Sequence, residues 1–363
     1  MADFRAALVT RRGAGPLAGL LLALGAGFLC AWIRTPLPWM IGPLFSLAAA
    51  RLAGFPVAAV PGSRIAGQWI IGSALGLYFT PIVVHQVAQL AGWMVLAAAY
   101  SLIVGFGSAW VLATLSGVDK RTAFFGSVPG GATEMSLLAD RFGARTDLVA
   151  VAQSLRIIIV VSLVPFVFAW LDVHGTDRYV QGARAFSWEG LLVLLSLTAL
   201  GGGALHRFQF PNGWVIGALS VSLPLTALEI NLSSFPTWLS NAGQLLIGCA
   251  LASRFQQDFL VRAPRYLASV VGSVLVAIAM SASFGVFLAW VMPGNPATLV
   301  LATAPGGIAE MAITAKVLQL GVPVVTAFHV LRMVFLVTTT GAVYRFARGW
   351  RARRRSPVTR PLK

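Results

Sequence analysis

The segment Pro129-Gly130-Gly131-Ala132-Thr133-Glu134-Met135 returns 176 positions later as Pro305-Gly306-Gly307-Ile308-Ala309-Glu310-Met311. The same shift carries Gly67-Gln68 and Ile71-Gly72 onto Gly243-Gln244 and Ile247-Gly248, and Leu155-Arg156 onto Leu331-Arg332. Trp39-Met40-Ile41-Gly42 recurs as Trp214-Val215-Ile216-Gly217, a shift of 175. An offset held across separated motifs marks a duplicated chain, so the fold must be one that two copies of a single helical unit can build.

The solvent of that fold is lipid. Only 10% of the 363 residues are charged, 58% are hydrophobic and the mean hydropathy is +0.82, too little polar material to cover a soluble globule. The net charge of +16 does not point to nucleic acid. Eight of the 27 cations follow Tyr344, and Arg5, Arg11 and Arg12 precede the first apolar run, as expected of cytoplasmic ends that also touch anionic lipid. The apolar run at 17–33 lacks a small-x-small cleavage site and reads as a first membrane helix. Cys30 and Cys249, the only cysteines, lie in apolar runs and suggest neither disulfide nor metal.

Each half carries five apolar runs, near 14–33, 37–54, 63–80, 91–116 and 147–170, then near 187–206, 212–228, 237–253, 264–292 and 322–344. Between the fourth and fifth runs lies a segment broken by Pro-Gly-Gly, near 121–140 and 297–317, with arms that reach only about halfway across a ~30 Å core. The loop after the third run has no Lys or Arg in the first half, whereas its counterpart carries Arg254, Arg262 and Arg265. After the fourth run the bias reverses: Lys120 and Arg121 against the uncharged 292–296. Opposite charge bias at equivalent loops predicts halves inserted upside down, which requires an odd number of crossings per half. The expected fold is therefore all-α and polytopic: two inverted repeats, 1–171 and 187–345, each of five transmembrane helices and a re-entrant hairpin. A linker at 172–186 joins them and a basic cytoplasmic tail occupies 346–363, in a bacterial inner membrane.

The breaks are the candidate site. Pro129 and Pro305 remove a backbone donor, while Gly130, Gly131, Gly306 and Gly307 allow close backbone approach, so the freed groups must face protein or a water-filled cavity. Glu134 and Glu310, two of only four glutamates, follow each break by three residues and suit cation coordination, proton coupling or helix capping. Arg156 and Arg332 sit inside long apolar helices at a cost of at least about 2.5 kcal/mol, so they should be paired, either with those glutamates or with an anionic group of a substrate. Gln68 and Gln244 suit interhelical hydrogen bonds or, secondarily, substrate contact, and His329 stands where the first repeat has Gln153. Asp140 and Lys316 are equivalent positions of opposite charge. The four histidines lack metal-ligand spacing, and no enzymatic motif is present, so no cofactor is expected.

Trp39-Met40-Ile41-Gly42-Pro43, the twin Pro-Gly-Gly-x-x-Glu-Met motifs and the duplication resemble the bacterial AbrB membrane-protein family over about residues 15 to 350. Members of that family carry labels as regulators of gene expression and as ammonia monooxygenase. The histidines and cysteines here cannot supply the copper or iron that a monooxygenase needs. Five spans plus a hairpin in inverted halves is also similar, at fold level, to symporters that work by an elevator movement. The expected activity is secondary transport of a small organic anion coupled to H⁺ or Na⁺, with a membrane-embedded regulator as the alternative; monomer and homodimer are both compatible.

Overall fold

The computed structural model describes residues 14–176, 185–255 and 263–355. Arg5, Arg11, Arg12, Arg262, Arg360 and Lys363 lie outside these residues, as does part of the expected linker. Fifteen helices make up the described chain. The first repeat contributes α1 (Ala14–Trp32), α2 (Pro38–Leu52), α3 (Ser63–Gly76), α4 (Pro81–Gln89), α5 (Ala91–Ser116), α6 (Lys120–Ser127), α7 (Ala132–Arg141) and α8 (Thr146–Trp170). The second contributes α9 (Trp188–Arg207), α10 (Gly213–Ala227), α11 (Thr237–Ala252), α12 (Pro264–Val291), α13 (Pro296–Thr303), α14 (Ile308–Val317) and α15 (Val322–Arg355). The final helix runs on to Arg355, so the first ten residues of the expected 346–363 tail are helical.

Six of these helices are long and apolar enough to cross a membrane: α1, α5, α8, α9, α12 and the 322–346 part of α15. A seventh span results if α3 and α4, bent by 96° at residues 77–80, count as one. The expected runs at 37–54, 212–228 and 237–253 form helices of 15, 15 and 16 residues, each roughly 22–24 Å at 1.5 Å per residue and short of the hydrocarbon thickness.

Glycine sets the spacing of the short helices. A Cβ on Gly42 would fall 2.6 Å from the Ala26 carbonyl oxygen, and one on Gly217 would fall 2.3 Å from that of Gly201. Trp39 lies over Gly27 and Trp214 over Gly202 in the same way, so the repeated Trp-x-Ile-Gly motif is a packing device that locks α2 to α1 and α10 to α9. Gly67 meets Ile247, and Gly243 meets Ile70 and Ile71, where α3 crosses α11.

Packing divides the chain differently from its sequence. Helices α1, α2, α3, α9, α10 and α11 form one bundle, in which α2 packs on α11 as α10 packs on α3. Helices α5 to α8 and α12 to α15 form the other, each repeat giving half of both. The bundles meet where α14 and α15 touch α3, and through α4, which reaches α10 and α15. Within the second bundle, Arg265 at the start of α12 donates to the carbonyl of Leu115 near the end of α5, while Tyr100 stacks on Phe284 at 4.0 Å. The equivalent helices α5 and α12 therefore run in opposite directions.

Both broken segments start on matching caps. Asp119 accepts from the amides of Arg121 and Thr122 at 2.9 and 3.0 Å, and Asn295 accepts from that of Ala297 at 2.9 Å. Partial burial works against the Asp119 carboxylate, but these bonds and the Thr122 hydroxyl hold its pKa below the ordinary 3.8. The cap's charged contribution is thus present above pH 3.8 and fades as pH falls through the lowered value. Asp119→Ala is expected to cost about 1 kcal/mol, read as a lower thermal midpoint in detergent.

Candidate functional site

Proline places each break. The residue before it is driven out of the helical region, and Val128 (ψ 128°) and Ala304 (ψ 143°) are extended. Helix α6 therefore stops at Ser127 and α7 begins again at Ala132, and α13 and α14 repeat the pattern. The carbonyls at the ends of α6 and α13 then lack intrahelical partners, inside a membrane protein where water cannot be assumed.

The two buried arginines meet that need. Arg156, 4% exposed, donates from one terminal nitrogen to the Val128 carbonyl at 3.0 Å and from the other to that of Gly130 at 3.1 Å. Arg332, 6% exposed, donates in the same way to the carbonyls of Ala304 and Gly306. A planar fork with two outward N–H groups can span both carbonyls, and its charge lies at the negative end of a helix dipole. Gln153 adds bonds to the carbonyls of Phe125 and Val128 at 2.8 and 2.9 Å. His329 takes that place in the second repeat, with Nε2 3.1 Å from the Leu301 carbonyl and Nδ1 2.9 Å from the Arg332 guanidinium. Those neighbours require Nε2 to donate and Nδ1 to accept.

The ion pairs Glu134–Arg156 and Glu310–Arg332 do not form. Among the described residues the salt bridges are Arg145–Asp147 and His174–Asp172. Each glutamate instead occupies the third position of its helix and folds back over the capping glycine, as the acidic member of a capping box does. A Cβ on Gly131 would lie 1.7 Å from Oε2 of Glu134, and one on Gly307 would lie 2.1 Å from Oε2 of Glu310. The three heavy atoms nearest to that Gly307 Cβ all belong to Glu310. Gly307→Ala is therefore expected to cost about 1–3 kcal/mol in thermal stability, and far less in a Glu310→Ala background, a coupling that a double-mutant cycle measures.

The two breaks line one cavity of about 70 Å³, room for a few water-sized groups. Pro129, Gly130 and Gly131 face it from one repeat, and Gly306, Gly307 and Glu310 from the other. Arg156, Arg332 and His329 form its floor, and Gln68 reaches it from α3. Glu134 and Pro305 are not in its lining, and Gln244 is buried on α11 away from it. Three polar lining residues, Arg64, Asn212 and Arg254, were not anticipated as site residues. Arg64 and Gln68 donate to Oδ1 of Asn212 at 3.3 and 3.2 Å, and Arg254 donates to Ser154 at 3.0 Å. Asn212 has φ of 49°, a left-handed conformation that asparagine tolerates better than most residues, and its place before Gly213 was the available signal. Four arginines and one glutamate thus line a small cavity that also receives the first turns of α7 and α14.

Apolar helices, two repeats and a cavity at paired helix breaks define an all-helical protein suited to a membrane. The chain belongs to the AbrB family: the profile described as "Transition state regulatory protein AbrB" matches residues 15–348. It is similar to the Escherichia coli (strain K12) protein named "Putative regulator AbrB", 26% identical over 341 residues, which cover 92% of this chain and 95% of that one. It is also similar to "Uncharacterized protein YhjN" of Bacillus subtilis (strain 168), 28% identical over 354 residues, 90% and 91% of the two chains.

Proposed function

We propose that the protein is a secondary transporter of a small organic anion, working by alternating access between two inverted repeats. The observation that carries this reading is the cavity in which both Pro-Gly-Gly breaks meet four arginines and a single glutamate. Helix N-termini present amides and positive dipole ends to an anion, and interrupted helices paired across repeats are where transporters place substrates. Arg156 and Arg332 hold the breaks open through backbone carbonyls; Arg64 and Arg254 add charge to the lining and form no salt bridge with a described carboxylate. The inverted arrangement is supported by the opposite directions of α5 and α12 and by the reversed loop charges. The positive-inside rule puts the face bearing Arg64, Lys120, Arg121 and Arg254 in the cytoplasm.

Purified protein in liposomes is expected to move small carboxylates, with coupling read as dependence on a pH or Na⁺ gradient. Arg254→Glu should reduce that flux by at least about tenfold, since it replaces attraction by repulsion in a poorly solvated site. If a panel of mono- and dicarboxylates neither moves nor raises the thermal midpoint, the reading fails. The E. coli relative's name supplies the rival, a membrane-embedded regulator. That rival would be favoured if deleting 356–363 removed a cellular phenotype that Arg254→Glu left intact.

A further inference from the structure

The two repeats share a sequence pattern but are packed unequally. Helix α7 buries only Met135 and Ala139, whereas α14 buries Ile308, Ala309 and all of 311–315. At the cavity mouth Arg64 is exposed, and Asn212 and Arg254 are partly so. Their equivalents in the other repeat, Ser240, Leu37 and Tyr78, are 2%, 0% and 8% exposed. The cavity therefore opens at one face, and the equivalent positions of the opposite face are sealed. One contact in that seal joins the two bundles: Lys316 on α14 donates to Ser240 on α11 at 3.3 Å.

The sequence shift of 176 sends Lys316 to Asp140 and Ser240 to Arg64. In the structure Asp140 and Arg64 are both exposed and form no ion pair with each other. We infer that Asp140 and Arg64 are a latent gate: they pair when the second state of the protein seals the Arg64 face, taking the place that Lys316 and Ser240 hold at the opposite face here. The inference rests on the alternating-access reading, since a repeat pair that exchanges conformations must exchange its contacts. Charge strengthens it, because the exchanged partners are an acid and a base. Asp140 ends α7, and this helix is free of the packing that α14 makes, so the motion that would bury α7 as α14 is buried brings Asp140 toward the start of α3. Arg64 would then leave Asn212 and turn from a lining cation into a lid over the site.

Disulfide formation tests this without knowledge of the solute. On a background with Cys30→Ser and Cys249→Ala, the pair Ser240→Cys/Lys316→Cys is expected to crosslink in native membranes under mild oxidation or with a short bismaleimide. The pair Arg64→Cys/Asp140→Cys is expected to crosslink as well, and the single variants are not. Formation of the first link but not the second, or of neither in normally inserted protein, overturns the gate. Crosslinking of both pairs in protein that moves no anion retains the gate while rejecting the substrate. Where flux is measurable, Asp140→Arg should lower it and Asp140→Glu should retain it, whereas equal flux in the two variants counts against pairing.

Discussion

Arg332→Ala is expected to be the most damaging single substitution in the chain. It removes two charge-assisted hydrogen bonds, each worth about 1.5–3 kcal/mol, and leaves the Ala304 and Gly306 carbonyls in a buried break without their donor. It also strips His329 of the guanidinium at Nδ1. A total loss of about 3–5 kcal/mol would exhaust much of the stability of an ordinary domain, so little folded protein should be recovered from membranes. Arg332→Lys should recover only part, because an ammonium is a point charge that cannot span two carbonyls as a planar fork does. Arg156→Ala is expected to be milder, since the Val128 carbonyl keeps Gln153 at 2.9 Å and the Gly130 amide at 2.8 Å. The order Arg332→Ala, Arg156→Ala, Arg332→Lys in falling severity is read from thermal midpoints and yield. Equal tolerance of all three would mean that the arginines do not hold the breaks.

How much of this was legible in the sequence depends on the kind of partner each residue has. The breaks were legible because proline and paired glycine act on the backbone wherever they stand. That Arg156 and Arg332 must be paired was legible too, because an unpaired guanidinium in an apolar helix is expensive. Their partners were not, since a carbonyl belongs to every residue and carries no mark in the sequence; glutamates three residues beyond the breaks were the visible candidates. Arg64 and Arg254 were hidden for the opposite reason. Cations at helix ends usually report orientation, and only the fold brings the start of α3 and the end of α11 to the same cavity. The division into two bundles was also out of reach. Repeats are contiguous in sequence, but each bundle takes its helices from both. That α14 is more deeply buried than α7 was partly legible, since Thr133, Ser136 and Arg141 stand where the second repeat has Ala309, Ala312 and Val317.

Cysteine labelling should give an all-or-none answer on insertion. Lys120, the first residue of α6, and Pro293, between α12 and α13, are exposed where each broken segment begins, near the matching caps Asp119 and Asn295. In a chain freed of Cys30 and Cys249, Pro293→Cys is expected to react with a membrane-impermeant maleimide added to intact cells, and Lys120→Cys only after the membrane is opened. The physical basis is twofold. Basic connections are retained in the cytoplasm, and the 292–296 connection has no charge to retain it. Independently, α5 and α12 run antiparallel across the same bundle, so their C-terminal ends, which lead into these two connections, lie at opposite faces. Labelling of both sites from one side would require parallel repeats, and the two breaks could not then enter from opposite faces to meet at Arg156 and Arg332. Labelling from opposite sides makes each broken segment a hairpin that returns to its own face, with α6 and α13 of 8 residues each reaching only about 12 Å inward. Two such hairpins approaching from opposite sides of the bilayer end within one cavity near its middle.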